Sequence, residues 1–517
     1  MTNTGIPPLI QQMMQPGFYP HAVTEPIQMM QTHVSYVLLT GDYAYKVKKT
    51  VNFGFLDYST VEARQHFCLE EIRLNQRTAP EIYLEVLPIV QVGDRFQLGT
   101  AGAENPVEYL LKMRAFNQDD LLSCRFEQGK LTEAEMEELG RVVAQFHAKA
   151  HRDDYIRSFG QVAKVREALD ENYQQTQKYI GSAQTRQQYE ETQAFTDEFF
   201  ANRQALLNSR IENNWIRECH GDLHLRNISL WQGKITLFDC IEFNEPFRFV
   251  DVMYDVAFMV MDLEVRESLD FANAFLNSYV EQTGDWEGLQ VLPLYLSRQA
   301  YVRAKVTSFL LDDPAVPEAA KEEAAATAAS YYKLAWQYTQ PQNGQLILMS
   351  GLSGSGKTTV ARKIARRLRA IHLRSDAVRK HLGGVGLEQP GGADLYTAEM
   401  SQKTYDRLLE LGITLASQGF SVILDAKYDR SELRGNAIAK AQSHDLPIKI
   451  VHCTAPLEVL RDRLSKRTGD VSDATPELVA QQQATAEPFS EIEQPLVIAL
   501  DTTQDWQSQL DKLITNN

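Results

Sequence analysis

Cysteine is scarce and scattered. The five in 517 residues, Cys68, Cys124, Cys219, Cys240 and Cys453, stand singly, with no C-x-x-C pair and no Cys/His spacing suited to a metal. Such a set suits reduced thiols and speaks against a disulfide framework or structural zinc. Long apolar runs are missing too. No stretch of about eighteen uncharged apolar residues occurs, and no basic segment followed by an apolar one opens the chain. Neither export nor a membrane span is supported, and the cytoplasm is the expected compartment. An excess of positive charge is also lacking: 52 Lys plus Arg stand against 68 Asp plus Glu, a formal net charge of −16. A polyanion is repelled at long range by that balance, so a nucleic acid partner would need a local basic groove. No internal repeat relates the two halves, and the length predicts two or three domains.

What is present falls into two patterns. Val34 to Lys48 alternates apolar and polar residues around Thr40-Gly41-Asp42, a hairpin signal. Ser59 to Gln76 has helical periodicity, Val107 to Met113 reads as a strand, and Asn117 to Asp120 offers capping residues before another helix. Thr132 to Leu207 is predominantly helical, and a short apolar strand, Ile235 to Phe238, follows the segment HGDLHLRN at His220 to Asn227. A small sheet lobe followed by a helical lobe is expected. The alanine-rich stretch Glu318 to Ala335 reads as a connecting or packing helix, and Gln340-Pro341-Gln342-Asn343-Gly344 punctuates like a linker. Beyond it, apolar runs at Leu346 to Ser350, Ile371 to Arg374, Val422 to Leu424, Ile448 to His452 and Leu496 to Leu500 alternate with helices. That is the signature of a parallel sheet covered on both faces. The expected fold class is α/β and α+β: a bilobal unit over 1–340 (lobes about 30–115 and 116–335), then a doubly wound parallel-sheet unit over 345–517.

The run GLSGSGKTT at Gly351 to Thr359 sits between a strand and a helix, the context that makes G-x-x-x-x-G-K-T specific. Gly351, Gly354 and Gly356 let the backbone turn tightly and aim amides at phosphate oxygens. Lys357 reaches the outer phosphates, and Thr358 can hold magnesium at the helix start. Ser353, Ser355 and Thr359 complete the expected ATP cradle. Asp376 ends the second apolar run with Arg379 three residues on, a base and a cationic clamp at the carboxyl ends of the strands, although a helix cap fits Asp376 as well. Asp425 closes Val422-Ile423-Leu424, where a carboxylate acts on magnesium or its water shell. Arg461, Arg463 and Arg467 lead into a polar segment and suit a mobile lid over the transferring phosphoryl, or a solvated face.

HGDLHLRN carries different chemistry. Asp222 can accept a hydrogen bond from an attacking hydroxyl, Asn227 can bind a metal, and Asp239, after the apolar strand, supplies the carboxylate that chelates magnesium between phosphates. His220 and His224 are read as braces of the loop rather than a metal pair.

Residues 345–517 resemble the P-loop kinase family that includes zeta toxins, polynucleotide 5'-hydroxyl kinases, and gluconate and shikimate kinases: GLSGSGKTT, SDAVRK and RDRLSKR occur in the family's order. The resemblance implies that Asp376 orients or deprotonates an acceptor hydroxyl, that Arg379 helps hold the acceptor, and that Arg463 and Arg467 approach ATP. The glycine-rich Leu382 to Gly392 reads as an acceptor-side loop. Residues 30–335 resemble the aminoglycoside phosphotransferase family, the small-molecule branch of the kinase-like fold. That implies a strand lysine for the phosphates, Lys46 or Lys48, paired with Glu71 or Glu70, and a hinge at Met113 running into Arg114-Ala115-Phe116. Asp251 and Asp255 correspond to the family's structural acids. Departures are a missing G-x-G-x-x-G loop, Cys240 after the metal aspartate, and no A-P-E, which makes proteins improbable acceptors.

The leading expectation is a fusion of two phosphotransferases moving the γ-phosphoryl of ATP, with Mg2+, to hydroxyls of small molecules. Two others stay open. One makes the C-terminal half a polynucleotide or sugar-nucleotide kinase with an accessory N-terminal half; the other is a nucleotide-gated regulatory module.

Overall fold

The computed structural model describes residues 5–100, 102–466, 471–508 and 510. The chain forms two compact units: Met1–Glu135 with Gln145–Gln174 and Glu198–Asp262, and Met136–Ala144 with Gln175–Asp197 and Leu263–Asn517.

The first unit is built on an antiparallel sheet of β1 (Gln28–Gln31), β2 (Ser35–Leu39), β3 (Tyr43–Lys48), β4 (Tyr83–Val92), β5 (Arg95–Leu98) and β6 (Glu108–Arg114), ordered β1-β2-β3-β6-β4-β5. The β2–β3 turn is the expected one, with Leu39 opposite Ala44 and Gly41 at φ +105°, a backbone angle that glycine tolerates. Period-two alternation in β3 puts Tyr45 and Val47 into an apolar cluster with Ile10, Met13, Leu38, Ile89 and Leu110. Lys46 and Lys48 therefore share the opposite face. Thr60 caps the helix Val61–Asn75 by accepting from Ala63 N. Its buried stripe of Arg64, Cys68, Glu71 and Asn75 has helical spacing, and that spacing selects Glu71 over Glu70 for the interior. Further on, β7 (Ile216–Glu218) pairs with β10 (Phe249–Asp251), and β8 (Ile228–Trp231) forms a hairpin with β9 (Lys234–Leu237).

The second unit contains an all-parallel sheet: β11 (Gln345–Ser350), β12 (Ile371–Arg374), β13 (Ser421–Asp425), β14 (Ile448–Thr454) and β15 (Val497–Asp501), ordered β12-β13-β11-β14-β15. Because helices cover both faces, β11, β12 and β13 are buried almost throughout, as their continuous apolar runs require. One face packs Ile347, Met349, Ile423 and Val451 against Val360, Ala361 and Ile364 of the helix Lys357–Leu368. Each of the Ile, Val and Met side chains, fully buried, contributes about 1.5–3 kcal/mol. The same unit takes in the helices Leu269–Thr283, Leu292–Asp312 and Glu318–Gln337. The alanine-rich helix buries Ala324, Ala328, Tyr332 and Ala335, a packing role. Among the described residues no helix is long and apolar enough to cross a membrane.

Candidate active sites

In the first unit, Lys46 Nζ donates to Glu71 Oε1 at 2.7 Å and to Asp239 Oδ1 at 3.0 Å. Lys48 Nζ donates to the other oxygen, Glu71 Oε2, at 2.6 Å, and also to Glu242. The two lysines thus share one carboxylate, but only Lys46 reaches Asp239. Its side chain keeps 15% exposure where that of Lys48 has 1%. Glu70 turns to Arg73 and Arg248 instead. Burial alone would raise Glu71, but Lys46 and Lys48 override it and hold the carboxyl well below its usual range. Burial likewise works against the Lys46 charge, and Asp239 with Glu71 outweighs it, so the ammonium is retained.

The loop after β7 is held from below. Asp255 accepts His220 N at 2.7 Å, Gly221 N at 2.9 Å and the His147 ring at 3.1 Å, so its acceptor positions are filled by the protein. Arg210 pairs with Asp251 at 2.6 Å. Both acids act as scaffold. His220 Nδ1 accepts from Asp222 N at 3.3 Å while Nε2 donates to Phe238 O at 2.9 Å; His224 Nδ1 accepts from Arg226 N at 3.2 Å and Nε2 meets Asp222 Oδ2 at 3.2 Å. All four ring nitrogens are thus engaged in bracing the loop. Asn227 Nδ2 donates to Asp222 O at 3.0 Å and Oδ2 at 3.1 Å, which fixes the amide with Oδ1 on the side away from Asp222. A carbonyl oxygen there and the Asp239 carboxylate make a hard, oxygen-only donor set suited to magnesium. Asp239 has φ +61°, a conformation uncommon outside glycine and stored at working sites. Met113 lies in β6 opposite Ala44 and Tyr83; the next two amides are spent inside the sheet, Arg114 N on Ile82 O and Ala115 N on Asp42 O.

In the second unit a cavity of about 780 Å³ is lined by Ser353, Gly354, Gly356, Lys357, Thr358 and Thr359, with Asp376, Arg379, Asp425 and Arg463 across from or beside them. Gly351 and Gly354 have φ +134° and +80°, and a Cβ on them would stand 2.3 Å from Cys453 O and 2.7 Å from Leu460 O, so only glycine fits. Gly351 and Ser355 face a second hollow behind the loop, and Ser355 Oγ is buried without a partner. Lys357 Nζ rests on Leu352 O at 2.8 Å. Burial pushes its ammonium below the usual range, with Asp425 opposing. Burial would raise Asp425, but the His372 hydrogen bond at 2.9 Å and the charges of His372, Lys357 and Arg374 hold it down at about 2. One Asp425 oxygen is thereby occupied, leaving the other, with the Thr358 hydroxyl, as oxygen donors for a magnesium ion. Arg379 donates to Leu395 O at 2.8 Å and Ser401 Oγ at 3.2 Å; Arg463 donates to Thr502 Oγ1 at 2.8 Å and Thr502 O at 3.0 Å. Lys380 donates to Leu387 O and Gln389 O and so orders the glycine-rich stretch, which does not itself line the cavity. Arg467 lies outside the described residues.

Several side chains escape the sequence reading. Glu242 and Tyr58 complete the Lys48 cluster, Asp262 accepts Leu225 N at 3.1 Å, and His372 orients Asp425. An acid three residues after Asp239, and a histidine inside a four-residue apolar strand, are the signals that mark Glu242 and His372.

A model of the phosphotransferase enzyme family matches residues 101–292, and an AAA domain model matches 346–489. An uncharacterized protein of Mycobacterium tuberculosis is 32% identical over 466 residues, covering 89% of this chain and 90% of its own. One of Mycobacterium bovis gives the same figures. The chain belongs to their family. It is an ATP-dependent kinase, with a phosphotransferase-family segment followed by an AAA-domain segment. Among solved structures, a sugar kinase from Janibacter sp. is similar at 23% identity and TM-score 0.25, over 33% of this chain and 93% of that one. The APS kinase of Mycobacterium tuberculosis is similar at 23% and 0.26, over 34% and 98%.

Proposed function

We propose that the chain is a bifunctional phosphotransferase of the cytoplasm, with functional halves at 1–340 and 345–517, each moving the γ-phosphoryl of ATP to a hydroxyl of a small molecule. The observation that supports this most is the duplication of a full set of parts. Lys46, Asp222, Asn227 and Asp239 converge in one unit, and Lys357, Thr358, Asp376 and Asp425 in the other. All five cysteines are unpaired, as a reducing compartment keeps them.

In the first half, Lys46 exchanges Asp239 for the α and β phosphates, and Glu71 keeps it in place. Asp222, oriented by Asn227 and His224, takes the proton of the acceptor hydroxyl as its oxygen bonds to Pγ and the bond from Pγ to the ADP oxygen breaks. In the second, the glycine-loop amides and the helix start at Lys357 bind the phosphates, Lys357 leaves Leu352 O for the outer ones, and Asp376 receives the acceptor proton. Magnesium, held by Asn227 and Asp239 or by Thr358 and Asp425, would neutralise charge on the β and γ oxygens. Arg379, Arg374, Lys427 and Arg430 line the acceptor side of the second cavity, so an alcohol that carries an anionic group suits it best.

An acceptor screen with γ-labelled ATP tests this. Asp222→Asn and Lys357→Ala should each lower transfer by about 10²–10⁴-fold for its own acceptors and leave the other set labelled as in wild type. Loss of every acceptor on either single change would contradict two independent sites.

A further inference from the structure

The free edge of the parallel sheet is closed by side chains rather than by a strand. β12 pairs with β13 on one side only. On its other side lies the helix Leu269–Thr283, which in sequence belongs to the segment matched by the phosphotransferase model. Asn277 Nδ2 donates to Ala370 O at 3.0 Å, and Asn277 Oδ1 accepts from His372 N at 2.7 Å. One amide thus satisfies a carbonyl and an N–H two residues apart, as a neighbouring strand would. Asn273 Nδ2 donates to the same carbonyl at 3.0 Å while its Oδ1 accepts from Arg366 at 2.9 Å.

One turn further along the same helix face, Glu281 Oε1 accepts from Arg374 Nη1 at 3.3 Å, and Glu281 O meets the His381 ring at 2.8 Å. Gly284, at φ +72°, approaches that ring so closely that a Cβ would stand 2.8 Å from Nδ1, and Trp286 packs edge-on against it.

β12 leads directly to the second site. His372 orients Asp425, Arg374 lines the cavity, and Asp376 follows two residues later. Without Glu281 the Arg374 guanidinium loses one of the anchors that set its place in the cavity lining. Without the Asn277 amide, the buried His372 N–H loses its partner and Ala370 O keeps only the Asn273 bond, so the strand that aims His372 is held less firmly at its edge.

We propose that Asn277 and Glu281 are positioning residues of the P-loop site, acting through His372 and Arg374, so that a helix from the phosphotransferase-family segment sets the competence of the other half. The inference rests on the reading of Lys357, Asp376 and Asp425 as a phosphotransfer site. Neither residue lines the cavity; Asn277 holds the strand that carries His372, and Glu281 holds Arg374, which lines it.

The test uses the full chain and ATP alone, read as magnesium-dependent turnover to water in an Asp222→Asn background; adding Lys357→Ala defines the share of the P-loop site. Glu281→Gln should lower that share about three- to thirtyfold in kcat, with KM for ATP within about twofold and an unchanged melting temperature. In an Arg374→Ala background the same change should do nothing further. Asn277→Asp, which keeps the acceptor for His372 N but loses the donor to Ala370 O, should lower kcat in the same way. Additive losses for Glu281→Gln and Arg374→Ala, or a loss carried by KM with kcat unchanged, would overturn the inference and leave the site itself standing. If adding Lys357→Ala changes nothing, the P-loop reading fails and the inference falls with it.

Discussion

In the first unit the cation proposed for the phosphates is already paired with carboxylates, Lys46 with Glu71 and Asp239, whereas in the second Lys357 rests on the neutral Leu352 carbonyl. The contrast extends to the anchors. Side chains from three separated segments assemble the first site, so its geometry depends on buried ion pairs. Backbone amides held by glycines at positive φ assemble the second, so its geometry is set by the turn itself. On the proposed roles, nucleotide binding at the first site is an exchange of ionic partners, and at the second an addition to a cradle that is already shaped.

The largest expected effect that breaks this contrast is on stability. Glu71→Ala leaves Lys46 and Lys48 without their shared counter-charge in a buried setting, and should destabilise the first unit by about 3–5 kcal/mol. Glu70→Ala, at a half-exposed pair, should cost at most about 1 kcal/mol. Urea unfolding followed by a probe in each unit would check both, and equal losses would refute the assignment of Glu71. Next in size is metal removal. Chelating magnesium should weaken ATP binding at the first site by well over tenfold, because Asp239 then stays on Lys46 and repels the phosphates. The amide cradle of the second should lose about tenfold or less. Titrations of Lys357→Ala and Asp222→Asn protein with EDTA present read the two sites separately.

A smaller effect sharpens the second site. The Asp425 carboxyl is held at about 2 against 3.8 in the unfolded chain, so its stabilisation is present above pH 3.8 and is lost as pH falls through about 2. The stability gap between wild type and Asp425→Asn should accordingly be constant near neutrality and close toward pH 2 in acid unfolding.

Much of this was legible in the sequence where chemistry depends on contiguous residues. GLSGSGKTT dictates a strand, a turn and a helix, and HGDLHLRN with Asp239 carries its roles in a fixed order. Lys46 and Lys48 could not be separated because residues two apart share a strand face; the choice lies in which one Asp239 reaches. Glu70 and Glu71 are adjacent, and only the burial of Arg64, Cys68 and Asn75 shows which side of the helix faces in. The edge role of Leu269–Thr283 was not legible at all. Asparagines at one helical face look like any polar surface until the strand they complete, about a hundred residues on, is in place. The boundary near 340 follows composition, whereas packing carries residues from 263 onward into the parallel-sheet unit.

The most direct test of two separate nucleotide sites on one chain is calorimetric titration with a non-hydrolysable ATP analogue and magnesium. Two equivalents per polypeptide are expected for the wild type, one for Lys357→Ala, and one for a Lys46→Ala variant. A single equivalent in the wild type, retained in both variants, would contradict the account.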